Sequence, residues 1–522
     1  MKLISLLITC LMILNINLIF GQAGTLDTTF KKTGKVITDF GGNDFGRSVA
    51  IQPDGKIVVA GYTLTGNNFA VARYNKNGRL DKTFGGSGKV TTDFGLEDLA
   101  YSVAIQVDGK IVVAGKTNVN TSSTGVYDFA VARYNINGTL DYSFSGDGKV
   151  TTDFNNGGSD EAHSVAIQSD GKIVVIGFTN KFGSDYALAR YNANGTPDNT
   201  FGGSGKIITN FGVDTYSEAY AVIIQPDGKI VVAGDTNAGN DFSDFGLARY
   251  NVSGTLDNTF SGDGKVIADI GGYDFGKSVA IQPDGKIVVA GYTIQGDEDW
   301  ALARFNVDGT LDNLFNGSGK VTTEFGGVDD AYAVAIQANG KIVVAGYSKP
   351  GTDYDFTLAR YNTNGTLDNT FSGDGKVATD FSGGSGDDAF AIAIQPDGKI
   401  VAAGDTRAIS GSNDFAVARY NGDATLLTNN VSRLNVTDII NERKSPFFRL
   451  YPNPVTDVLH VQGLSQSAAN TILITDVSGK VFEKATALSG DYTFNVKMLP
   501  AGVYNISIIE NRKTVNYKII KQ

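Results

Sequence analysis

The sequence predicts an all-β protein, a seven-bladed β-propeller followed by a small Ig-like β-sandwich. Three observations lead to this prediction. Glycine is abundant at 65 residues and proline is scarce at 10, which is typical of many short strands joined by tight turns. One sequence unit recurs seven times, each time around an Asp-Gly-Lys or Asn-Gly-Lys turn between two apolar runs. After residue 448 the chain consists of short alternating segments.

The start of the chain predicts a signal peptide over residues 1–23. Lys2 is followed by an almost continuously apolar run, and small residues close the segment. A secretory signal peptide has this order, and an uncleaved N-terminal anchor is the alternative. The one cysteine, Cys10, lies inside the segment, so we expect the mature chain to have neither disulfides nor thiolate chemistry.

The repeat unit has the strand pattern of a propeller blade. One copy begins with a Gly-Lys-Val strand at residues 264–270, continues in two apolar strands joined by the turn at Asp284, and ends with a strand at residues 300–306. An Asp-Gly turn between apolar runs is a strong hairpin signal. Four strands in each of seven units predict seven radially arranged blades over residues 24–421.

The frame of the repeat also predicts how the ring closes. The first Gly-Lys-Val strand precedes the first hairpin, whereas no such strand follows the last repeat strand at residues 415–420. We therefore expect the N-terminal strand at residues 35–40 to complete the seventh blade and to cover its open edge. An open solenoid with capping repeats is the alternative.

The repeat motifs resemble those of a known bacterial family. They are Leu-Asp-x-x-Phe, Gly-x-Gly-Lys-Val, Val-Ala-Ile-Gln-x-Asp-Gly-Lys-Ile-Val-Val-Ala-Gly and Ala-Arg-Tyr-Asn-x-x-Gly, and copies cover about residues 25–423. This pattern is similar to the bacterial delta-60 repeat family. The resemblance implies a surface or secreted protein with propeller-like repeats, and it brings no established activity.

The C-terminal segment has a different set of motifs. Residues 422–448 are polar and break the repeat, which predicts a linker. Within residues 449–522, Leu-Tyr-Pro-Asn-Pro-Val at 450–455, Asp-Val-Ser-Gly-Lys-Val at 476–481 and Leu-Pro-Ala-Gly-Val-Tyr at 499–504 resemble the type A C-terminal sorting domain of the type IX secretion system. The resemblance implies outer-membrane export by that machinery, followed by release or surface attachment. A structural Ig-like domain without an export role is the alternative.

Charge and histidine content restrict the chemistry. The formal net charge is −11, and no basic patch appears that could neutralise phosphates, so we expect no nucleic-acid partner. Of the two histidines, His460 belongs to the C-terminal segment, which leaves His163 alone in the propeller. A Ser-His-Asp triad or a multi-histidine metal site is therefore not expected. His163 is interpreted as a solvated loop histidine.

Arginine and aspartate recur once in each repeat, and we interpret them as ion pairs or turn clamps that build the blades. A ring of ligand-binding arginines is the alternative. The repeated residues are Arg73, Arg133, Arg190, Arg249, Arg304, Arg360 and Arg419, with Asp27, Asp81, Asp141, Asp198, Asp257, Asp312 and Asp368.

Acidic residues that differ between repeats fall in two loop sets, which propeller topology places on one face. This face is the candidate ligand site, for Ca²⁺ or for a basic or sugar ligand. A solvated acidic rim is the alternative, and no other cofactor is expected. Trp300 replaces Phe or Tyr of other repeats and is interpreted as packing. The candidate residues are Asp98, Asp160, Glu161, Asp297, Glu298, Asp299, Asp329, Asp330, Asp387 and Asp388.

The resulting hypothesis is a secreted or cell-surface, monomeric, non-enzymatic propeller that acts as a binding or adhesion scaffold. A secreted polysaccharide hydrolase or lyase is the main alternative, because glycosidases use two carboxylates around one cleft. Carboxylates that break the sevenfold pattern and converge on one cleft would favour that enzyme. A structural role within a surface layer is a third hypothesis.

Overall fold

The structure is a computed structural model, and it divides into two compact units, Met1–Thr425 and Leu426–Gln522. Most of the predicted signal peptide and linker lies outside the residues that it describes. No helix within those residues is long and apolar enough to cross a membrane. The described residues are 22–118, 125–154, 157–180, 183–212, 215–238, 242–381, 386–407, 411–423, 449–451, 455–464, 470–476, 481–487, 490–500, 502–510 and 513–521.

The first unit contains seven four-stranded antiparallel sheets, one for each repeat. The first strands are β2 (Asp44–Ile51), β6 (Glu97–Ile105), β10 (Ser159–Ile167), β14 (Ser217–Ile224), β18 (Tyr273–Ile281), β22 (Asp329–Ile336) and β26 (Asp387–Ile394). The second strands are β3 (Ile57–Thr63), β7 (Ile111–Asn118), β11 (Ile173–Asn180), β15 (Ile230–Thr236), β19 (Ile287–Ile294), β23 (Ile342–Ser348) and β27 (Ile400–Arg407). The third strands are β4 (Asn68–Tyr74), β8 (Asp128–Tyr134), β12 (Asp185–Tyr191), β16 (Asp244–Tyr250), β20 (Glu298–Phe305), β24 (Asp355–Tyr361) and β28 (Asn413–Tyr420). The fourth strands are β5 (Lys89–Thr92), β9 (Lys149–Thr152), β13 (Lys206–Thr209), β17 (Lys265–Ala268), β21 (Lys320–Thr323), β25 (Lys376–Thr379) and β1 (Lys35–Thr38).

The seven sheets follow one another around a ring. The first strand of each sheet contacts the first strand of the next, and β26 contacts β2, so these strands are the innermost. The N-terminal strand β1 pairs with β28, with Lys35 opposite Ala418 and Thr38 opposite Phe415. The predicted pairing of the two ends of the repeat region is therefore confirmed, and the last sheet has its fourth strand.

The apolar second strands explain how neighbouring sheets hold together. Val58 and Val59 in β3 are both fully buried although their side chains point to opposite faces of the sheet. Val58 packs with Val103 of the second blade, and Val59 packs with Val417 of the seventh. A run that is apolar on both faces suits a sheet covered on both sides.

Each first strand contains a β-bulge opposite the glycine that ends the Val-Val-Ala-Gly or equivalent run of the second strand. In the third blade the bulge lies between Ala162 and Ser164. A Cβ atom on Gly177 would lie 1.8 Å from the carbonyl oxygen of Glu161. The glycine is required because the bulged backbone occupies the space of a side chain.

Replacing this glycine tests the bulge. We expect Gly177→Ala to lower the free energy of unfolding by about 1–3 kcal/mol, because the added methyl group collides with backbone that cannot rotate away. Gly351→Ala is the matched control, since Gly351 has open space around it. Urea unfolding measures both variants, and equal stability of the two would contradict the account.

The repeated arginines and aspartates form buried clamps, which confirms their interpretation as ion pairs. Arg190 Nε donates to Asp198 Oδ2 at 2.7 Å, and its guanidinium lies 4.4 Å from the ring centroid of Phe201. Arg190 also donates to the carbonyl of Val252 in the next blade. The seven pairs are Arg73–Asp81, Arg133–Asp141, Arg190–Asp198, Arg249–Asp257, Arg304–Asp312, Arg360–Asp368 and Arg419–Asp27.

The second unit forms two small antiparallel sheets that share one apolar core. Leu459 and Phe494 of one sheet pack with Ile472 and Ile506 of the other. The first sheet has the strands β29 (Arg449–Tyr451), β30 (Val458–Leu464) and β33 (Gly490–Asn495), and the second has β31 (Asn470–Asp476), β32 (Val481–Ala487), β34 (Gly502–Glu510) and β35 (Lys513–Lys521).

Candidate functional site

The bulge in each first strand presents one side chain toward the centre of the ring, and these seven residues are here named the inner belt. Each is half-buried, and each lies on an innermost strand. A bulge redirects the side chain of its extra residue, which explains why this position faces inward in every blade. The belt differs from blade to blade, whereas the Val-Ala-Ile-Gln part of the strand is nearly the same in every blade. Its members are Arg47, Tyr101, His163, Tyr220, Lys277, Tyr332 and Phe390.

Belt residues of adjacent blades contact one another. The rings of Tyr101 and His163 have centroids 5.1 Å apart, and those of His163 and Tyr220 are 4.9 Å apart. Lys277 Nζ lies 3.4 Å from the Tyr220 centroid, a cation–π contact. On the other side of the ring, the guanidinium of Arg47 lies 3.9 Å from the centroid of Phe390. The belt is therefore a lining of aromatic and charged groups around the centre.

A second set of side chains lies beside the belt, where a residue of each first strand stands opposite a residue of the second strand. These pairs also break the sevenfold pattern. Four of them carry at least one carboxylate, which stands opposite a second carboxylate in two blades and opposite a tyrosine in one. The pairs are Phe45–Tyr62, Leu99–Lys116, Glu161–Phe178, Glu218–Asp235, Phe275–Tyr292, Asp330–Tyr347 and Asp388–Asp405.

The cations of this lining face carboxylates of neighbouring blades. Lys116 Nζ lies 2.8 Å from a carboxylate oxygen of Glu161, and Lys277 Nζ lies 3.8 Å from Asp235. Burial lowers the pKa of Lys277, although the charges of Asp235 and Glu218 oppose that change. Burial likewise raises the pKa of Asp235, against the influence of Lys277. The lining thus holds polar groups that water only partly solvates.

The seventh and first blades repeat this arrangement. Arg47 lies 3.8 Å from Asp405. Burial raises the pKa of Asp405 despite the charge of Arg47, and burial raises that of Asp388 to about 6. Two carboxylates and one cation therefore meet here, as Glu218, Asp235 and Lys277 do between the fourth and fifth blades.

One cavity of about 410 Å³ opens onto the group formed by Glu218, Asp235 and Lys277. Four aromatic side chains and several hydrogen-bonding groups line it together, and most of them break the repeat pattern. The lining residues are Tyr216, Glu218, Tyr220, Asp235, Asn237, Ser243, Phe275, Lys277 and Tyr292. We name this cavity the belt pocket.

Two of the larger cavities, of about 570 and 510 Å³, lie beside the Asp-Gly-Lys turns. One includes Lys286 and Arg304 in its lining, and the other includes Lys399 and Arg419. These are the same two repeat positions in different blades. The cavities are therefore crevices of the repeated clamps rather than features particular to one place in the ring.

His163 is not the solvated loop residue that the sequence suggested, and that prediction is wrong. It lies in β10 with its ring near those of Tyr101, Phe178 and Tyr220. Its Nε2 is buried and makes no hydrogen bond within the described residues. Burial, assisted by the charges of Lys277 and Lys116, lowers the pKa of His163 to about 3. The imidazole is therefore neutral at physiological pH.

Four of the predicted ligand residues anchor loops instead of facing solvent. Each is buried at the start of a first strand and accepts a hydrogen bond from the backbone amide of an earlier phenylalanine. These contacts are Asp98 with Phe94 at 2.5 Å, Asp160 with Phe154 at 2.6 Å, Asp329 with Phe325 at 2.6 Å and Asp387 with Phe381 at 2.8 Å.

The structure brings three other candidates, Glu161, Asp330 and Asp388, to the inner lining. Asp330 accepts a hydrogen bond from the hydroxyl of Tyr347 at 2.5 Å, and burial raises its pKa to about 6. The remaining three candidate residues form one acidic run at the start of β20. The first of them precedes the strand and is exposed, and the other two are half-buried. They are Asp297, Glu298 and Asp299.

Sequence reasoning missed Arg47, Lys116, Asp235, Lys277 and Asp405 because they lie within strands that otherwise repeat. An alignment of the seven copies position by position contains the signal, since these inward positions change among apolar, aromatic, acidic and basic residues from copy to copy. The interpretation of Trp300 as packing is confirmed, because the side chain is fully buried and donates from Nε1 to the Tyr347 carbonyl at 3.1 Å.

The ring of seven sheets, its repeats and the C-terminal unit together define an exported β-propeller protein. The chain carries seven repeats of the family described as "Domain of unknown function (DUF5122) beta-propeller", matched at residues 52–84, 106–144, 168–201, 225–260, 282–315, 337–371 and 395–426. It also carries a "Secretion system C-terminal sorting domain" at residues 449–522. The protein is therefore secreted or on the cell surface, and the sorting domain implies interaction with the type IX export machinery.

A comparison with curated proteins finds no match. Among solved structures, PorZ of the type IX secretion system of Porphyromonas gingivalis is 13% identical with a TM-score of 0.35, and the match covers 91% of this chain and 59% of PorZ. A Dyadobacter fermentans protein of unknown function is 14% identical over 74% of this chain and 98% of that one, with a TM-score of 0.41. The polysaccharide lyase Uly1 is 11% identical over 72% and 90%, also at 0.41. At these scores no function transfers to this chain.

Proposed function

We propose that this exported propeller is a non-enzymatic binding protein and that the belt pocket holds a short glycan segment. The observation that supports the proposal is the convergence of pattern-breaking groups on one cavity of about 410 Å³. Ligand pockets typically have about 300–1,000 Å³ and combine apolar walls with a few placed polar groups. The volume is near the lower end of that range, which favours a short segment over a long chain.

The chemistry of the lining suits a sugar. The half-buried ring of Tyr292 offers a flat face for the C–H face of a pyranose ring. Glu218 and Asp235 offer carboxylate oxygens that accept hydrogen bonds from sugar hydroxyls. Lys277 is already occupied by Asp235 and by the Tyr220 ring, so its charge does not by itself call for an anionic ligand.

A matched pair of tyrosine variants tests the pocket. The full mature chain is screened on a glycan array, and its best ligand is titrated by calorimetry. We expect Tyr292→Ala to raise the Kd about tenfold, because stacking on an aromatic ring contributes about 1 kcal/mol beyond buried area. Tyr62→Ala removes the residue at the same repeat position in the first blade, outside the pocket, and should leave the Kd unchanged. Absence of any array ligand, or equal losses in both variants, would contradict the proposal.

A polysaccharide hydrolase or lyase is the second candidate, because one observation favours it. Glu218 and Asp235 stand opposite each other on adjacent strands, break the sevenfold pattern and face the same pocket. The raised pKa of Asp235 suits a general acid, and Glu218 would supply the second carboxylate that such an enzyme needs. Against this candidate, the Glu218 carboxylate accepts a hydrogen bond from the Tyr220 hydroxyl at 2.6 Å, and His163 Nε2 has no hydrogen-bond partner within the described residues.

Product analysis separates the two functions. The array ligand is incubated with the chain, and reducing ends or unsaturated products are measured over a day. The binding proposal predicts that the glycan is recovered intact with both the wild type and Asp235→Asn. Cleavage by the wild type that Asp235→Asn abolishes would assign the pocket to the enzyme instead.

A further inference from the structure

Three aspartates meet where the two ends of the propeller sequence join. Asp39 follows β1, Asp44 begins β2 and Asp414 lies in β28. One carboxylate oxygen from each lies within 4.8 Å of the others. The three residues therefore belong to the seventh and first blades at the seam of the ring, and we name them the seam trio.

Hydrogen bonds occupy only part of the seam trio. Asp39 Oδ1 accepts from the amide of Gly41 and Asp44 Oδ2 from that of Phe40, both at 2.5 Å. Asp414 is 8% exposed, and its Oδ1 is buried without a hydrogen-bond partner among the described residues. Asp44 Oδ1 is also buried and makes no hydrogen bond of normal geometry, although the Thr63 hydroxyl lies near it. The trio thus joins one exposed carboxylate to two buried ones, and each buried one keeps an oxygen without a hydrogen bond of normal geometry.

Such a trio is unfavourable without a positive charge. Asp414 is buried beside the carboxylates of Asp39 and Asp44, whose negative charges repel its own. Burying an unpaired carboxylate costs several kcal/mol, on the order of the whole margin that stabilises a domain. No lysine or arginine forms an ion pair with the trio among the described salt bridges. A metal ion would supply the missing charge.

The oxygens also have the spacing of a cation site. Ca²⁺ binds carboxylate and carbonyl oxygens at about 2.3–2.6 Å, so two ligands on opposite sides of the ion lie about 5 Å apart. Three oxygens within 4.8 Å of one another fit around one such ion. A donor set made of oxygen alone selects hard cations over transition metals.

We propose that the seam trio binds one Ca²⁺ ion and that this ion clamps the closure of the ring. The ion joins a carboxylate of the last repeat to one that follows the N-terminal strand and one that begins the first blade. It therefore holds together chain segments that lie far apart in sequence.

The same arrangement recurs at two other junctions between blades. The equivalent trios are Asp128, Asp153 and Asp160, and Asp244, Asp269 and Asp274. Asp160 Oδ1 and Asp274 Oδ1 are again buried without a hydrogen bond of normal geometry. The junction between the third and fourth blades supplies a natural contrast, because Asp185, Asn210 and Ser217 occupy these positions. We therefore expect three Ca²⁺ sites in the ring.

Direct binding tests this proposal on the full mature chain. Equilibrium dialysis with Ca²⁺ should give a stoichiometry that falls by one ion per chain in Asp414→Asn. Asp185→Asn changes the same repeat position at the junction that lacks a trio, and its stoichiometry should equal that of the wild type. Asp274→Asn changes a separate trio and should also bind one ion fewer per chain. This variant replaces Asp414→Asn in the test if Asp414→Asn does not fold stably.

The change in Tm with Ca²⁺ and with EDTA is an independent test of the seam trio. Ca²⁺ at millimolar concentration should raise the Tm of the wild type relative to EDTA, because it binds the native state. In EDTA, Asp414→Asn should unfold at or above the wild-type Tm, since one repelling charge is gone, and in Ca²⁺ it should unfold below it. No Ca²⁺ binding, or the same stoichiometry in wild type, Asp414→Asn and Asp274→Asn, would overturn the proposal. Either result leaves the glycan proposal for the belt pocket standing.

Discussion

Deletion of residues 24–40 is expected to abolish cooperative unfolding of the propeller. The deletion removes β1, so the seventh sheet keeps three strands and the edge of β28 is left open. It also removes the fully buried Phe30, worth about 1.5–3 kcal/mol of apolar burial. Arg419 loses Asp27, and an unpaired buried charge costs about 3–5 kcal/mol. The combined loss is comparable to the total stability of an ordinary domain.

Thermal unfolding followed by circular dichroism measures this effect. Lys35→Ala is the control in the same strand, because its amine makes two weak contacts, with the exposed backbone carbonyl of Asp380 and, at 5.6 Å, with the ring of Phe381. Its Tm should stay near the wild-type value. A synthetic peptide of residues 24–40 should restore a cooperative transition to the deletion variant. A deletion variant that unfolds at the wild-type Tm would show that the N-terminal strand does not close the ring.

Loss of one clamp arginine is the second large effect. We expect Arg190→Met to lower the free energy of unfolding by about 3–5 kcal/mol, because Asp198 stays buried while its main partner is gone. The methionine also cannot donate to the Val252 carbonyl in the next blade. Burial alone would raise the pKa of Asp198, but hydrogen bonds from Thr200 and Lys172 and the charge of Arg190 together lower it well below its usual range.

The second lysine partner of the same carboxylate provides the control. Lys172 Nζ lies 3.1 Å from Asp198, but its side chain is 27% exposed, so Lys172→Met should cost about 1 kcal/mol or less. Adding Asp198→Asn to Arg190→Met should recover part of the loss, since no charge is then left unpaired. Urea unfolding compares the three variants, and equal costs for the arginine and the lysine would contradict the clamp.

The architecture was predictable because it depends on features that every repeat shares. The Asp-Gly-Lys turns locate the hairpins, and the apolar run around Val58 and Val59 predicts a sheet covered on both faces. The frame of the repeat located the seam between residues 35–40 and 415–420, as the pairing of β1 with β28 confirms. These are consequences of strand geometry, which the local sequence determines.

The candidate site was less predictable because acidity alone does not say where a side chain points. Asp98 and Asp329 have the charge of ligand residues, but they lie buried beneath the loops that they anchor. Lys277 shows the opposite case. It lies in a strand that looks like part of the repeated scaffold, but a β-bulge turns its side chain toward the inner lining. A bulge depends on the partner strand, and only the glycine at residue 291 hints at it in the sequence. Variation among copies was the right signal, and it applied to strands as well as to loops.

Repeated residues build the ring, and we propose that the pattern-breaking residues of the belt pocket bind the ligand. Glu218 and Glu161 occupy the same position in adjacent blades, but only Glu218 lines the belt pocket. Titration of the array glycan should give a Kd at least about tenfold higher for Glu218→Gln, because a hydrogen bond to a charged group contributes about 1.5–3 kcal/mol. Glu161→Gln should bind as the wild type does. Equal Kd values for wild type, Glu218→Gln and Glu161→Gln would contradict the claim.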